Sequence, residues 1–122
     1  MTNLLVRAVR GATTVDHDVP DEVADATREL LGEMLRANGI DVDDIVSVLF
    51  TTSPDLTSAF PAAAARDIGF AGVPLMCASE IAVPGAKPRC IRIMLHTYSA
   101  LARGEIRHVY LRDAQNLRDD LK

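Results

Sequence analysis

Arg92 stands in the middle of an apolar run, Cys90-Ile91-Arg92-Ile93-Met94-Leu95, and that placement leaves the chain few ways to fold. The alternation predicts a strand with Arg92, Met94 and His96 on one face and Ile91, Ile93 and Leu95 on the other. A charge inside such a strand costs free energy unless something pairs with it, so Arg92 needs a partner in the protein or in a ligand. The stretch before it supplies a candidate. Leu75-Met76-Cys77-Ala78-Ser79-Glu80 reads as a strand that delivers a carboxylate to its exit, and Val83-Pro84-Gly85-Ala86-Lys87-Pro88 as the loop between the two strands.

The rest of the chain supplies the other layers. Leu4 to Val9 predicts a first strand, with Leu4, Val6, Ala8 and Arg10 on one face and Leu5, Arg7 and Val9 on the other. Arg7 reads as a strand charge on a solvated face. Gly11 permits a bulge or a close backbone approach just after Arg10. Pro20, Asp21 and Glu22 open a helix in which Val23, Thr27, Leu30, Met34 and Ala37 recur at helical spacing, and Asn38-Gly39 stops it. Val46 to Thr51 is a second strand, apolar enough to be covered on both faces. Pro61 opens a short Ala-rich helix, Ala62 to Ile68, ended by Gly69. Val73 to Ala78, Cys90 to Thr97 and His108 to Leu111 complete five strands, and a flexible polar tail runs over about 112–122.

The order β-α-β-α-β-β-β predicts an α+β fold, a mixed five-stranded sheet with two main helices on one face. Residues 1–122 suffice for a single domain and not for two. The opposite sheet face also needs cover, and in so short a chain another copy of it is the natural source.

Composition narrows the function. The net charge of -4 and the absence of a basic tail argue against nucleic acid or an anionic membrane as partner. Cys77 and Cys90 lack C-x-x-C spacing, which points away from zinc or a redox pair and towards a reducing cytoplasm. The apolar run at the N-terminus is too short for a signal peptide, and nothing approaches a membrane span. His17, His96 and His108 have no metal-ligand spacing, and no phosphate loop, dinucleotide fingerprint or nucleophile elbow occurs, so no cofactor is expected. Cys77 has no neighbouring base to activate it. What remains is Arg10, Arg92, Glu80 and Tyr110, in or beside apolar strands. Converging guanidinium groups without a nucleophile, base or metal suit a dicarboxylate ligand, because bidentate pairing fixes its shape.

Several segments resemble the monofunctional chorismate mutases of the trimeric, pseudo-α/β-barrel class. They are Val9-Arg10-Gly11-Ala12-Thr13-Thr14-Val15, Pro54-Asp55-Leu56, Phe60-Pro61-Ala62, Ala65-Arg66, Val73-Pro74, Cys77 with Glu80, Cys90-Ile91-Arg92, Ile106-Arg107-His108-Val109-Tyr110-Leu111 and Leu117-Arg118. The resemblance runs collinearly from about Val6 to Leu121. It implies the ferredoxin-like layout of that family, a homotrimer with active sites at subunit interfaces, and a cofactor-free rearrangement of chorismate to prephenate in aromatic amino-acid biosynthesis. By matching motif, Arg10, Arg92 and Tyr110 would bind substrate carboxylate and ether oxygen, with Arg92 nearest the breaking C–O bond. Glu80 and Cys77 would contact the ring hydroxyl, Phe60 and Arg66 would come from the adjacent subunit, and Leu117-Arg118 from a closing tail. The chain has Ala63 where relatives can carry Lys, and Asp119 where a Pro is often seen. The alternatives are a trimeric imine or enamine deaminase, which also pairs an Arg with a substrate carboxylate at a subunit interface, and a non-catalytic sensor that binds an aromatic-pathway acid and regulates a partner.

Overall fold

The computed structural model describes residues 4–117, so Arg118 and Asp119 lie outside the described residues. The strands are β1 (Leu5–Thr14), β2 (Ile45–Thr52), β3 (Leu75–Ser79), β4 (Cys90–Ser99) and β5 (Val109–Tyr110), in the sheet order β3-β2-β4-β1-β5. β4 runs antiparallel to β1 and β2, whereas β2–β3 and β1–β5 are parallel pairs. The mixed five-stranded sheet expected from the sequence is therefore the one observed. Helices α1 (Pro20–Asn38) and α2 (Pro61–Ala65) pack on one face of it. No helix among the described residues is long and apolar enough to cross a membrane.

α1 begins at Pro20, whose missing N–H would have no helical partner there, and Asp21 and Glu22 face the positive end of the dipole. The Glu22 carboxylate reaches back to accept from the backbone N–H of Asp16 and His17, at 3.2 and 3.0 Å. Gly39 ends the helix at φ 60°, which a side chain would resist. Between these ends α1 buries Leu30, Leu31 and Met34 against Val9, Phe50, Ile93 and Leu95, and Val23 and Ala26 against Val15, Leu56 and Ile91. Each such aliphatic side chain contributes about 1.5–3 kcal/mol, so this layer dominates the fold's stability.

Gly11 resolves the alternatives its position left open. It is a close approach, not a bulge: a Cβ there would sit 2.5 Å from Met34 Sδ and 3.1 Å from Leu30 Cδ1. The sheet irregularity falls instead on β2, between Ile45 and Ser47. Arg7 is tied down as well, its Nε donating to the Leu101 carbonyl at 2.9 Å.

Three elements differ from expectation. The Ala-rich helix stops at Ala65, and Arg66–Phe70 continues as a wider turn because Ile68 and Gly69 leave helical geometry. β2 is covered on one face only, with Val46 and Leu49 exposed on the other. The segment after Tyr110 starts as a turn of 3-10 helix, Arg112–Asn116, with Ala114 fully buried, so the tail is anchored further along than its polarity suggests.

Candidate active site

Strand register assembles the site. On the face away from the helices, Ala78, Thr51, Arg92, Ala12 and Tyr110 form one row across all five strands. The adjacent row is Met76, Leu49, Met94 and Arg10. Because side chains alternate with period 2, these residues share a face, and Ile91, Ile93 and Leu95 are left to the core. Glu80 joins this face at the exit of β3, where its backbone N–H donates to the Thr52 carbonyl at 2.8 Å. Arg10, Glu80, Arg92 and Tyr110 thus line one recess of about 260 Å³, together with Leu49, Thr51 and Met94.

Local structure holds each of them. The Arg10 backbone N–H donates to His108 Nδ1 at 2.9 Å, which requires that nitrogen to be unprotonated. The two-residue β5 is fastened at both ends. Buried Asn38 at the end of α1 accepts from the Arg107 N–H at 2.7 Å and donates to its carbonyl at 2.9 Å, and the Leu111 N–H donates to the Ala12 carbonyl. Beyond Tyr110, Arg112 pairs with Glu29 on α1 at 3.3 Å and donates to the Thr14 carbonyl. Asn38, His108 and Arg112 have no sequence pattern that marks them for this work. Thr51 does, since it alternates with Phe50 on β2.

Among the described residues, no carboxylate lies within ion-pair distance of Arg10 or Arg92. Burial pushes the Cys90 thiol's pKa up, and the charge of Arg92 pulls it the other way. The Thr51 hydroxyl is buried at the recess without a protein partner. Two guanidinium groups, one carboxylate and a phenol in an apolar frame can hold an anion in one conformation and place positive charge against one of its oxygens.

Cys77 and Phe60 are elsewhere. Cys77 pairs with core residue Phe50, on the opposite sheet face from Arg92, and shares with Phe60 a separate recess of about 420 Å³. Glu80 comes three residues after Cys77, so alternation turns the two apart; within one chain they do not meet at one hydroxyl. Phe60 is 72% exposed, unusual for an aromatic side chain with core to join. Arg66, at the start of the turn after α2, and Leu117 line neither recess.

A family model for chorismate mutase type I matches residues 6–121. The chain belongs to that family. The chorismate mutase AroH of Thermus thermophilus is 50% identical over 119 residues, spanning 97% of this chain and 98% of that protein. Its namesake from Bacillus subtilis is 38% identical over 119 residues, spanning 97% and 94%. A solved chorismate mutase from Clostridium thermocellum superposes with a TM-score of 0.87 at 47% identity, covering 88% of this chain and 96% of that one. The type I chorismate mutase fold is thus the frame in which the Arg10, Glu80, Arg92 and Tyr110 recess is set.

Proposed function

We infer that the recess on the open sheet face is the reacting half of a chorismate site, and that the recess beside Phe60 is the other half, contributed by a neighbouring copy. The chain is a chorismate mutase, an isomerase that turns chorismate into prephenate. The observation that carries the site reading is the convergence of Arg10, Glu80, Arg92 and Tyr110, from β1, the exit of β3, β4 and β5, on one recess.

The reaction breaks a C–O bond and forms a C–C bond in one concerted step. It needs no proton transfer and no covalent intermediate, so the residues named supply shape and charge. Arg10 and Tyr110 hold a substrate carboxylate, which selects the folded conformer in which the bonding carbons approach. Arg92 aims its guanidinium at the ether oxygen, where negative charge grows as the bond breaks. A donor held by a strand, with apolar neighbours, meets that charge with little reorganisation. Glu80 accepts from the ring hydroxyl, which sets the ring's orientation.

Two features support a homotrimer with sites at its interfaces. Val6, Leu49, Met76 and Tyr98 leave an apolar sheet face 37–67% exposed in the single chain. Of the residues that the family resemblance assigns to one ligand, Arg10, Glu80, Arg92 and Tyr110 fall on one recess and Phe60 and Cys77 on another with no lining residue in common, so the two sets meet on one molecule only when a second copy docks. In that arrangement Cys77 arrives with Phe60 and Arg66, and Leu117 joins the ligand as the family resemblance implies; Arg118 lies outside the described residues. The free thiols of Cys77 and Cys90 suit a reducing cytoplasm, and residues 1–122 act as a single domain.

The test is direct: purified protein dialysed against chelator should convert chorismate to prephenate with nothing added. Activity restored only by a divalent ion, or prephenate bound without turnover of chorismate, would contradict the reading.

A further inference from the structure

Arg89 is one of two non-glycine residues with positive φ among the described residues, and it lies three positions before Arg92. At φ 48° it sits in the left-handed region, which costs a residue with a Cβ about 1–2 kcal/mol. Such a conformation persists where its surroundings over-determine it. Here they do. Both oxygens of Asp55 accept the Arg89 backbone N–H, at 3.2 and 2.9 Å. The next amide, Cys90, donates to the Ser53 hydroxyl at 2.8 Å, and the Ser53 N–H donates back to the Cys90 carbonyl at 2.9 Å. Arg89 also exchanges hydrogen bonds with Val15 at the end of β1, its Nε donating to the Val15 carbonyl at 3.2 Å and its carbonyl accepting the Val15 N–H at 3.0 Å.

These contacts grip the first residues of β4 from two sides, directly upstream of Arg92. They also meet the site. Asp55, Ser53, Lys87, Cys90, Glu80 and Arg92 line a further recess of about 300 Å³, which abuts the first along Glu80 and Arg92. A carboxylate there would repel a dianionic substrate, and Asp55 is turned instead onto a backbone amide. Burial raises its pKa, but the Ser53 hydroxyl, the Arg89 N–H and the nearby Arg89 charge outweigh burial and hold it below the usual carboxylate value.

We propose that Asp55 is a positioning residue for the reaction: with Ser53 it latches the Arg89–Cys90 backbone and so fixes the height and direction at which Arg92 enters the site. This rests on the reading of Arg92 as the group facing the breaking bond. A displacement of the order of 1 Å at such a donor lowers rate more than it weakens substrate binding.

The test uses the full chain with Asp55→Ala, Asp55→Asn, Ser53→Ala and Arg92→Lys, each checked by circular dichroism. Asp55→Ala should lower kcat about ten- to a hundredfold with KM changed by less than about threefold. Asp55→Asn keeps an acceptor oxygen and should recover most of that loss. A second readout does not depend on turnover: with Cys77→Ser as labelling background, the buried Cys90 thiol should react with a disulfide reagent several-fold faster in Asp55→Ala. Should Asp55→Ala fail to fold, Ser53→Ala carries the same two readouts, with a smaller kcat loss expected. Wild-type kcat in Asp55→Ala beside a crippled Arg92→Lys would overturn the latch alone, as would equal loss in Asp55→Ala and Asp55→Asn. Wild-type kcat in Arg92→Lys would overturn the reading beneath it.

Discussion

Arg92 carries the largest expectation of any single side chain, because it joins charge to geometry. Arg92→Lys preserves net charge and strand pairing but replaces a planar fork with a point charge that cannot span a carboxylate and the ether oxygen together. Loss of one preorganised donor at developing negative charge typically costs roughly 10²–10³ in rate, so most of the effect should fall on kcat. Steady-state kinetics on chorismate separate the outcomes: a raised KM at wild-type kcat would make Arg92 a clamp and not the group that meets the breaking bond. This residue was legible in the sequence, since an arginine amid Ile91, Ile93 and Leu95 needs a reason. His108 and Asn38 were not legible. They hydrogen-bond backbone groups of Arg10 and Arg107, distant in sequence, and no periodicity encodes such contacts.

At the scale of elements, the site depends on how closely α1 lies on β1. Gly11→Ala would drive a Cβ against the fully buried Met34 and Leu30, next to Arg10. Overpacking of this kind costs about 1–3 kcal/mol, read as a lower urea midpoint at unchanged slope; an unchanged midpoint would mean that α1 yields freely. The sequence showed that Gly11 mattered but not whether it made a bulge or a contact, because the answer lies in α1, whose docking is a tertiary choice. The loop carrying Phe60 is fastened differently. Asp18 accepts from the Thr57 N–H at 3.0 Å and the Ser58 N–H at 3.1 Å, and these bonds, Thr57 first, lower its pKa. A depressed folded-state pKa stabilises the fold above the unfolded value, near 3.8, and that contribution fades as pH falls through the folded one. Asp18→Asn should therefore lower the urea midpoint at pH 7, and the gap to wild type should close as pH drops below the carboxylate range. A gap independent of pH would assign the effect to shape. The end of the Ala-rich helix was misjudged for a physical reason: nothing local bars Arg66 to Ile68 from a helix, and the chain leaves helical geometry already at Ile68 as Phe70 packs into the core.

For the whole molecule, the central claim is that one catalytic site is made from two copies of the chain. The open, partly apolar face was legible from strand alternation and from a chain too short to cover both sides of its sheet. The division of the site was less so, since a linear motif match says which residues act but not on which face each one emerges; Cys77 and Glu80 differ only in register. Subunit mixing tests this division. Arg92→Ala disables the half on the open sheet face, and Phe60→Asp sets a carboxylate on an exposed side chain in the other half, so each variant alone should be nearly inactive on chorismate. If each site takes its halves from adjacent subunits, about a quarter of the sites in a randomly exchanged equimolar mixture inherit both intact halves, and about that fraction of wild-type activity should return. Exchange demonstrated by native mass spectrometry with no recovered activity would mean that Arg92 and Phe60 act from the same chain, and the two-copy site would be wrong.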